Sequence, residues 1–428
     1  APAPVPAPAP APVAAAPVSV APPTSSPPPL SVLVAPLRSD WTFDSLLVGA
    51  YNRFAHAAAM SVVSSPGSMY NPLFLYGVPG TGKSHMLHAI GAGLSKGLGD
   101  AVLLSTSGSR LSRAVNAAAA RKTLAELEKK AADSKALLID DIHLLAIDDG
   151  NKEFLGKLFK SFFDRGLQVV ITSLYPPRAL SALEEALKFS FSKGWSVDLK
   201  IPSPAVQKDL IVSAGDRANA GWTVDDMGLL HEKLSVWGYS DLSLWLRRLN
   251  ILKKLKTAAG QPAGMADLLT LIYDPLVAVS TTPPTPEQAA AVRFAPPTVS
   301  AAAPALGVLA PKGMDGQGPF AASLFYEVGA RNGVTSAFRH ALWETYDAGQ
   351  SFGVPFQIGD MCARAGVTRV LLVGPGGDSP LAARAAEFSH AVRRILESGG
   401  IQLGFIPHTG LQNPAQYINA QLDLAADP

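Results

Sequence analysis

Eight consecutive residues have the types and the spacing of a phosphate-binding loop. Residues 77–84 match the pattern G-x-x-x-x-G-K-[ST]. The glycines let backbone N–H groups turn towards phosphate oxygens, the Lys83 ammonium suits the β- and γ-phosphates, and the Ser84 hydroxyl can ligate Mg²⁺. The predicted nucleotide-contacting residues of this loop are Gly77, Val78, Pro79, Gly80, Thr81, Gly82, Lys83 and Ser84.

Two carboxylates follow an apolar run further along the chain. Residues 136–139 are Ala-Leu-Leu-Ile, and Asp140 and Asp141 come next. Alone, such a run is more often a solvated strand end, but downstream of a phosphate-binding loop it is typical of a Mg²⁺-facing acid. We predict that Asp140 and Ser84 are the metal ligands. Asp141 is predicted to orient the attacking water, which makes Asp141 and Lys83 the candidate catalytic residues.

These motifs need a parallel sheet to bring them together. Short apolar runs predict buried parallel strands, and each run is followed by a helix or a turn, which is the pattern of an α/β fold. The predicted strands are 73–76, 101–105, 136–140 and 168–172. A helix is predicted over 84–94, where its N-terminal dipole favours a phosphate. Beyond residue 203 the pattern is helical, at 204–219, 223–236 and 240–258, and predicts a helical lid.

Composition limits the function classes. The chain has 36 basic and 34 acidic residues, so its net charge of +2 does not indicate a nucleic-acid or membrane partner. Its one cysteine, Cys362, cannot form an intrachain disulfide and fits a reducing compartment. No apolar run is long enough to span a bilayer, and no basic segment precedes the first apolar residues. We therefore expect a cytoplasmic protein, processed or taken from a longer chain because it lacks an initiator Met.

Stretches rich in Ala and Pro divide the chain, because Pro withholds backbone donors and Ala offers little surface to bury. The predicted regions are a disordered linker at 1–38, a P-loop α/β core at 39–202, the lid at 203–275, a second linker at 276–318 and a small α/β domain of unknown function at 319–428.

The small domain is predicted to begin with helices over 319–348 and to contain a parallel β-α-β unit. Its predicted elements are a strand from 370, a helix over 380–398 and a strand over 401–406. The loop between the first strand and the helix reads Gly-Pro-Gly-Gly-Asp and could bind an anion. We favour the alternative of a tight turn, with Asp378 or Ser379 capping the helix.

Three segments closely resemble the start of the AAA+ domain of the bacterial replication initiator DnaA family. They are Trp-Thr-Phe-Asp-Ser-Leu-Leu-Val-Gly at 41–49, Asn-Arg-Phe-Ala-His-Ala-Ala-Ala at 52–59 and Tyr-Asn-Pro-Leu-Phe-Leu-Tyr-Gly at 70–77. Leu-Leu-Ile-Asp-Asp-Ile at 137–142 also resembles this family, as do Ile-Thr-Ser at 171–173, and the resemblance extends from about 40 to 256. It implies that ATP or ADP binds with adenine near 48–53 and that Thr172 contacts the nucleotide.

Several charged positions of the family are replaced. The Asp and Arg that follow the Thr-Ser pair are Leu174 and Tyr175 here, and the family's Arg finger falls on Ser190. Another family Arg falls on Ala186, and the Arg of its second sensor falls on Ser240. The resemblance therefore implies that nucleotide binding is kept while hydrolysis and ATP-driven assembly are weak.

Nothing after residue 256 resembles the DNA-binding domain of the family, so we expect no sequence-specific DNA binding. Two functions stay open. One is an ATP-binding protein of replication initiation or its regulation, with a protein partner such as an initiator AAA+ domain. The alternative is a nucleotide-gated adaptor that presents the C-terminal domain to a partner unconnected with replication.

Overall fold

A computed structural model gives the architecture of the chain. It describes residues 32–99, 103–217, 222–237, 242–258, 260–264, 267–268, 283–314, 316–334, 337–349, 353–377 and 379–425. Among the helices in these ranges, none combines the length and the apolar character needed to cross a lipid bilayer.

The first sheet has five parallel strands in the order β2-β3-β4-β1-β5. Its strands are β1 Leu73–Tyr76, β2 Leu103–Ser107, β3 Ala136–Asp140, β4 Gln168–Ser173 and β5 Trp195–Asp198. The first four were predicted from their apolar runs. Strand β5 was missed because it lies at the sheet edge, where Trp195 and Ser196 are exposed and leave no continuous apolar run.

Helices cover both faces of this sheet. They are α1 Arg53–Ser64, α2 Lys83–Leu98, α3 Gly108–Arg121, α4 Leu124–Asp133, α5 Lys152–Asp164 and α6 Ser181–Leu187. Because side chains alternate along a strand, Leu73 and Leu75 pack into one apolar cluster and Phe74 packs into the other. The predicted α/β class, with a sheet buried on both faces, is confirmed.

The predicted N-terminal linker ends earlier than its composition suggested. Leu33 is buried in the core of the first sheet, and the Ala35 amide donates to the Ser105 carbonyl of β2 at 2.8 Å. Residues 32–36 therefore belong to the packed domain, because Val32, Leu33 and Val34 supply apolar surface that the preceding Ala/Pro sequence lacks.

Three helices occupy the region predicted as a lid, for which the name lid is kept. They are α7 Pro204–Arg217, α8 Val224–Trp237 and α9 Leu242–Ala258. Ile211, Leu230 and Leu249 are fully buried between them and their neighbours. The prediction for Ser240 falls outside the described residues.

The second sheet has four parallel strands in the order β7-β6-β8-β9. Its elements are α10 Pro286–Ala291, β6 Ala305–Pro311, α11 Gln317–Arg331, β7 Arg339–Tyr346, α12 Val354–Arg364, β8 Arg369–Val373, α13 Ala385–Ser398, β9 Gln402–Ile406 and α14 Pro414–Ala425. The predicted parallel pairing of β8 with β9 is confirmed.

Two predictions for this region were wrong. Strand β6 lies inside the predicted second linker, although all seven of its residues are buried. Strand β7 lies where helices were predicted, and most of its residues are partly or fully exposed because it is an edge strand. In both cases the contact with a neighbouring strand decides the structure, and that contact is not visible in the local sequence.

The lid and the second sheet share one apolar core. Ile211 and Leu249 of the lid belong to the same buried cluster as Phe325 of α11 and Leu422 of α14. Beside this cluster, Asp423 is fully buried and accepts hydrogen bonds from Arg248 of the lid at 2.8 Å and from Arg393 of α13 at 3.2 Å. The lid and the second sheet therefore pack as one body.

Candidate nucleotide site

The loop between β1 and α2 has the backbone of a phosphate cradle. Gly80 and Gly82 adopt φ of 84° and 88°, in the left-handed region that favours glycine. A Cβ at Gly77 would lie 2.4 Å from the Leu199 carbonyl oxygen, so a side chain there would collide with backbone. The Thr81 hydroxyl donates to the Val78 carbonyl at 3.0 Å and closes the loop on itself.

The Lys83 side chain is buried within this loop. Its ammonium donates to the carbonyl oxygens of Gly77 at 2.8 Å and Val78 at 2.9 Å. Burial lowers the pKa of Lys83, and the charges of Asp140 and Asp141 oppose that shift. The loop thus holds a cation next to the two acids.

The predicted metal ligands meet at the carboxyl ends of the strands. The Ser84 hydroxyl donates to Asp140 Oδ1 at 3.1 Å, and the Thr172 hydroxyl donates to the same oxygen at 2.5 Å. The Asp141 amide donates to the Thr172 hydroxyl oxygen at 2.9 Å. A hydroxyl and a carboxylate side by side are the oxygen ligands that Mg²⁺ prefers, so this donor set fits a nucleotide with its metal.

An arginine from the second sheet also reaches this site. Arg394 of α13 donates from Nε to Asp141 Oδ2 at 2.5 Å and from Nη2 to Asp140 Oδ2 at 2.5 Å. Both carboxylates are buried. Burial alone would raise the pKa of Asp141, but the charge and hydrogen bond of Arg394, together with the charges of His143 and His390, leave that pKa well below its usual range. Sequence reasoning missed Arg394, because nothing in its amphipathic helix indicates a partner more than 250 residues away.

Tyr175, which replaces a family Arg, also contacts α13. Its hydroxyl donates to Glu387 Oε2 at 2.9 Å and accepts from Arg384 at 3.1 Å. The ring packs edge-on against His143, whose burial lowers its pKa to about 4. This position therefore joins the first sheet to the second.

The remaining replaced positions and the adenine segment have local partners. The Ser190 hydroxyl donates to Glu184 Oε1 at 3.2 Å within its own turn. The Leu174 amide donates to His143 Nδ1 at 3.4 Å. In the predicted adenine segment, the Tyr51 carbonyl accepts from the Lys200 amide at 3.0 Å, which ties that segment to the end of β5.

Four features together define an AAA+ P-loop domain. They are a parallel sheet, a glycine loop followed by Lys-Ser, a helical lid, and two acids at the end of β3, which lies two strands away from β1. Residues 37–198 match the model of the bacterial DnaA ATPase domain. The chain therefore contains a DnaA-like AAA+ domain.

The chain is similar to several chromosomal replication initiator proteins DnaA. It is 32% identical over 205 residues to that of Caldanaerobacter subterraneus subsp. tengcongensis, covering 48% of this chain and 46% of the relative. It is 37% identical over 166 residues to that of Chloroflexus aurantiacus, covering 39% of this chain and 35% of the relative. The crystal structure of domain III of Thermotoga maritima DnaA matches with 28% identity and a TM-score of 0.48, over 55% of this chain and 96% of that one. The chain spans less than half the length of these curated relatives.

Proposed function

We propose that this chain binds ATP or ADP with Mg²⁺ through its DnaA-like domain, hydrolyses ATP weakly or not at all, and acts in DNA replication initiation or its regulation. The observation that carries the proposal is the convergence of Ser84, Asp140 and Thr172 beside the glycine loop.

Each group of this site has a proposed role in binding. The N–H groups of residues 77–84 and the Lys83 ammonium would hold the phosphates. Ser84 and Asp140 would hold Mg²⁺, which when bound neutralises charge on the phosphate oxygens. Residues 48–53 would lie against adenine, and Thr172 would fix the orientation of the Asp140 carboxylate through its hydroxyl.

The residue at the finger position supports weak hydrolysis. The finger position holds Ser190, whose neutral hydroxyl cannot stabilise charge on the γ-phosphate, and an Arg finger is worth ~10³–10⁵ in kcat. The same lack of a charged contact between subunits removes the ATP-dependent step of filament assembly.

A phosphate-release assay and light scattering, each with ATP and with ADP, test this proposal. We expect turnover near background, and no rise in mass that depends on ATP. Robust turnover or a large ATP-only rise in mass would show that this chain is an active AAA+ motor.

The role in replication is supported by the similarity of residues 37–198 to the DnaA ATPase domain, whereas the sequence of the second domain, which does not resemble a DNA-reading domain, favours the adaptor. We propose a protein partner, for example an initiator AAA+ domain, and no sequence-specific DNA binding. The second candidate is a nucleotide-gated adaptor, favoured by the packing of the second sheet against the lid. Capture of partners from native lysate, with and without ATP, separates the two: recovery of an initiator supports the first.

A further inference from the structure

Helix α13 of the second sheet lies against the nucleotide site with one face. Glu387, Arg394 and Ser398 are seven and four residues apart, a spacing that places them on the same side of a helix. Glu387 accepts from Tyr175, and Ser398 accepts from Arg113 of α3 at 3.1 Å. Arg394 lies between these two contacts, so the whole face of α13 is docked on the first sheet's domain.

Arg394 binds carboxylate oxygens that the proposed site needs for Mg²⁺ with nucleotide. Asp140 Oδ1 already accepts from Ser84 and Thr172, so Oδ2 is the oxygen of this carboxylate that remains for a further ligand. Arg394 takes that oxygen and takes Oδ2 of Asp141 as well, both at 2.5 Å. Charge-assisted contacts between a guanidinium and two buried carboxylates are strong.

A guanidinium and a divalent cation cannot both be held closely by Asp140, because their charges repel each other across a short distance in a site screened from water. We propose that Arg394 is an intramolecular latch: its binding to Asp140 and Asp141 opposes the binding of Mg²⁺ with nucleotide. This inference rests on the proposed nucleotide binding and adds its regulation.

Release of the latch would move more than one side chain. Because α13 belongs to the body that the lid shares with the second sheet, that body would shift relative to the first sheet. Lys200 is still hydrogen-bonded to Tyr51 of the first sheet's domain, and α7 begins at Pro204, so residues 201–203 are the connection about which it would turn. By linkage, Mg²⁺ with nucleotide favours the undocked helix by the same factor by which docking weakens nucleotide binding.

The first test measures the affinity of a fluorescent ATP analogue, with Mg²⁺ and with EDTA, for the wild type and Arg394→Ala. We expect Arg394→Ala to bind ~10-fold more tightly in Mg²⁺, within the usual range of coupling between sites, and to change little in EDTA. The matched control is Arg364→Ala, which removes an exposed Arg of α12 and should match the wild type.

The second test follows hydrogen exchange in peptides covering residues 385–398. In the wild type, Mg²⁺ with ATP should speed exchange there, whereas in Arg394→Ala exchange should be fast before nucleotide is added. Glu387→Gln weakens the Tyr175 contact without touching the acids, and it should shift both measurements in the same direction by a smaller factor. This variant also keeps the test valid should Arg394→Ala fold poorly.

Three outcomes would overturn the latch. Equal Mg²⁺-dependent affinity in the wild type, Arg394→Ala and Glu387→Gln would remove the competition. Weaker binding of the ATP analogue by Arg394→Ala would make Arg394 a group that supports the phosphates. An α13 whose exchange ignores Mg²⁺ with ATP, in a wild type that binds it, would uncouple the helix from the site. By contrast, no nucleotide binding by any variant would refute the proposed function itself.

Discussion

The two sheets each carry a glycine-rich loop between a strand and a helix, yet the loops differ in what surrounds them. The loop after β1 encloses the Lys83 ammonium and leads to the Ser84 hydroxyl. The loop after β8, residues 374–377, is packed by its own domain: a Cβ at Gly376 would lie 2.3 Å from the Met314 methyl. The two loops therefore share glycines, and the Lys-Ser pair that follows the first loop distinguishes the proposed phosphate site.

The second loop agrees with the favoured interpretation of a turn, but not with the proposed cap. Helix α13 begins at Ala385, too far from Ser379 for capping. The Ser379 hydroxyl instead donates to the Ala348 carbonyl at 2.7 Å and accepts from the Leu381 amide at 3.1 Å. Asp378 lies outside the described residues. The second sheet thus reaches the nucleotide site through a helix face and not through its glycine loop.

The largest expected effect tests whether the second sheet is independent of the lid. Asp423→Ala would leave Arg248 and Arg393 partly buried without their shared carboxylate. Breaking a buried pair in this way costs about 3–5 kcal/mol of unfolding free energy. Urea unfolding followed by circular dichroism measures it. The control Asp149→Ala removes an exposed carboxylate and should leave the urea midpoint unchanged.

A smaller effect is expected on nucleotide binding, and it compares variants in the two glycine-rich loops. Lys83→Ala removes the buried cation of the first loop and should weaken nucleotide binding at least ~100-fold, since hydrogen bonds to charged groups contribute about 1.5–3 kcal/mol each. Gly377→Ala, in the second loop, adds a Cβ that meets no neighbouring atom and should leave binding unchanged. Calorimetric titration of both variants decides the point, and equal affinity for ATP in Lys83→Ala and the wild type would place the site elsewhere.

The smallest expected effect is a pH dependence of stability that arises from His340 in the second sheet. Burial lowers the pKa of His340 from 6.5 to about 4, so the folded chain holds this imidazole neutral while the unfolded chain protonates it. The contribution of the neutral imidazole to the free energy of unfolding is complete above pH 6.5 and is lost as the pH falls towards 4. Because the ring is only half-buried, solvent screening limits the contribution to on the order of 1 kcal/mol.

Replacement of His340 by Phe should make this part of the pH dependence disappear, as seen in thermal unfolding between pH 7 and pH 4.5. The aromatic ring keeps the packing against Phe294 and Trp343. An unchanged slope of stability with pH would show that other groups cause the acid sensitivity.

The sequence predicted which residues lie together at the end of the first sheet, because adjacent residues fix their geometry. Lys83 and Ser84 follow the glycines directly, and Asp140 ends an apolar strand, so local patterns place all three. The positions of β5, β6 and β7 were missed, since edge strands are partly exposed and the Ala/Pro-rich sequence before β6 concealed its apolar run.

The contact of Arg394 with Asp140 and Asp141 could not be predicted from the sequence. Its helix has a clear amphipathic pattern, which predicts that one face is buried but not what buries it. The contact with Asp140 and Asp141 depends on how the second sheet packs on the first, and the other contacts of α13 there, with Arg113 and Tyr175, also join residues more than 200 positions apart.

The apolar core common to the lid and the second sheet determines which segment of this chain could be transferred intact into another protein. A lid transplanted alone would expose to water the apolar surface through which Ile211 and Leu249 share a cluster with Phe325 and Leu422, at a cost of roughly 25 cal/mol per Å² of that surface. Such a fragment is expected to aggregate or to be digested by proteases. The portable module therefore begins near residue 204 and runs through α14, across the Ala/Pro-rich stretch that its composition would suggest as the place to cut.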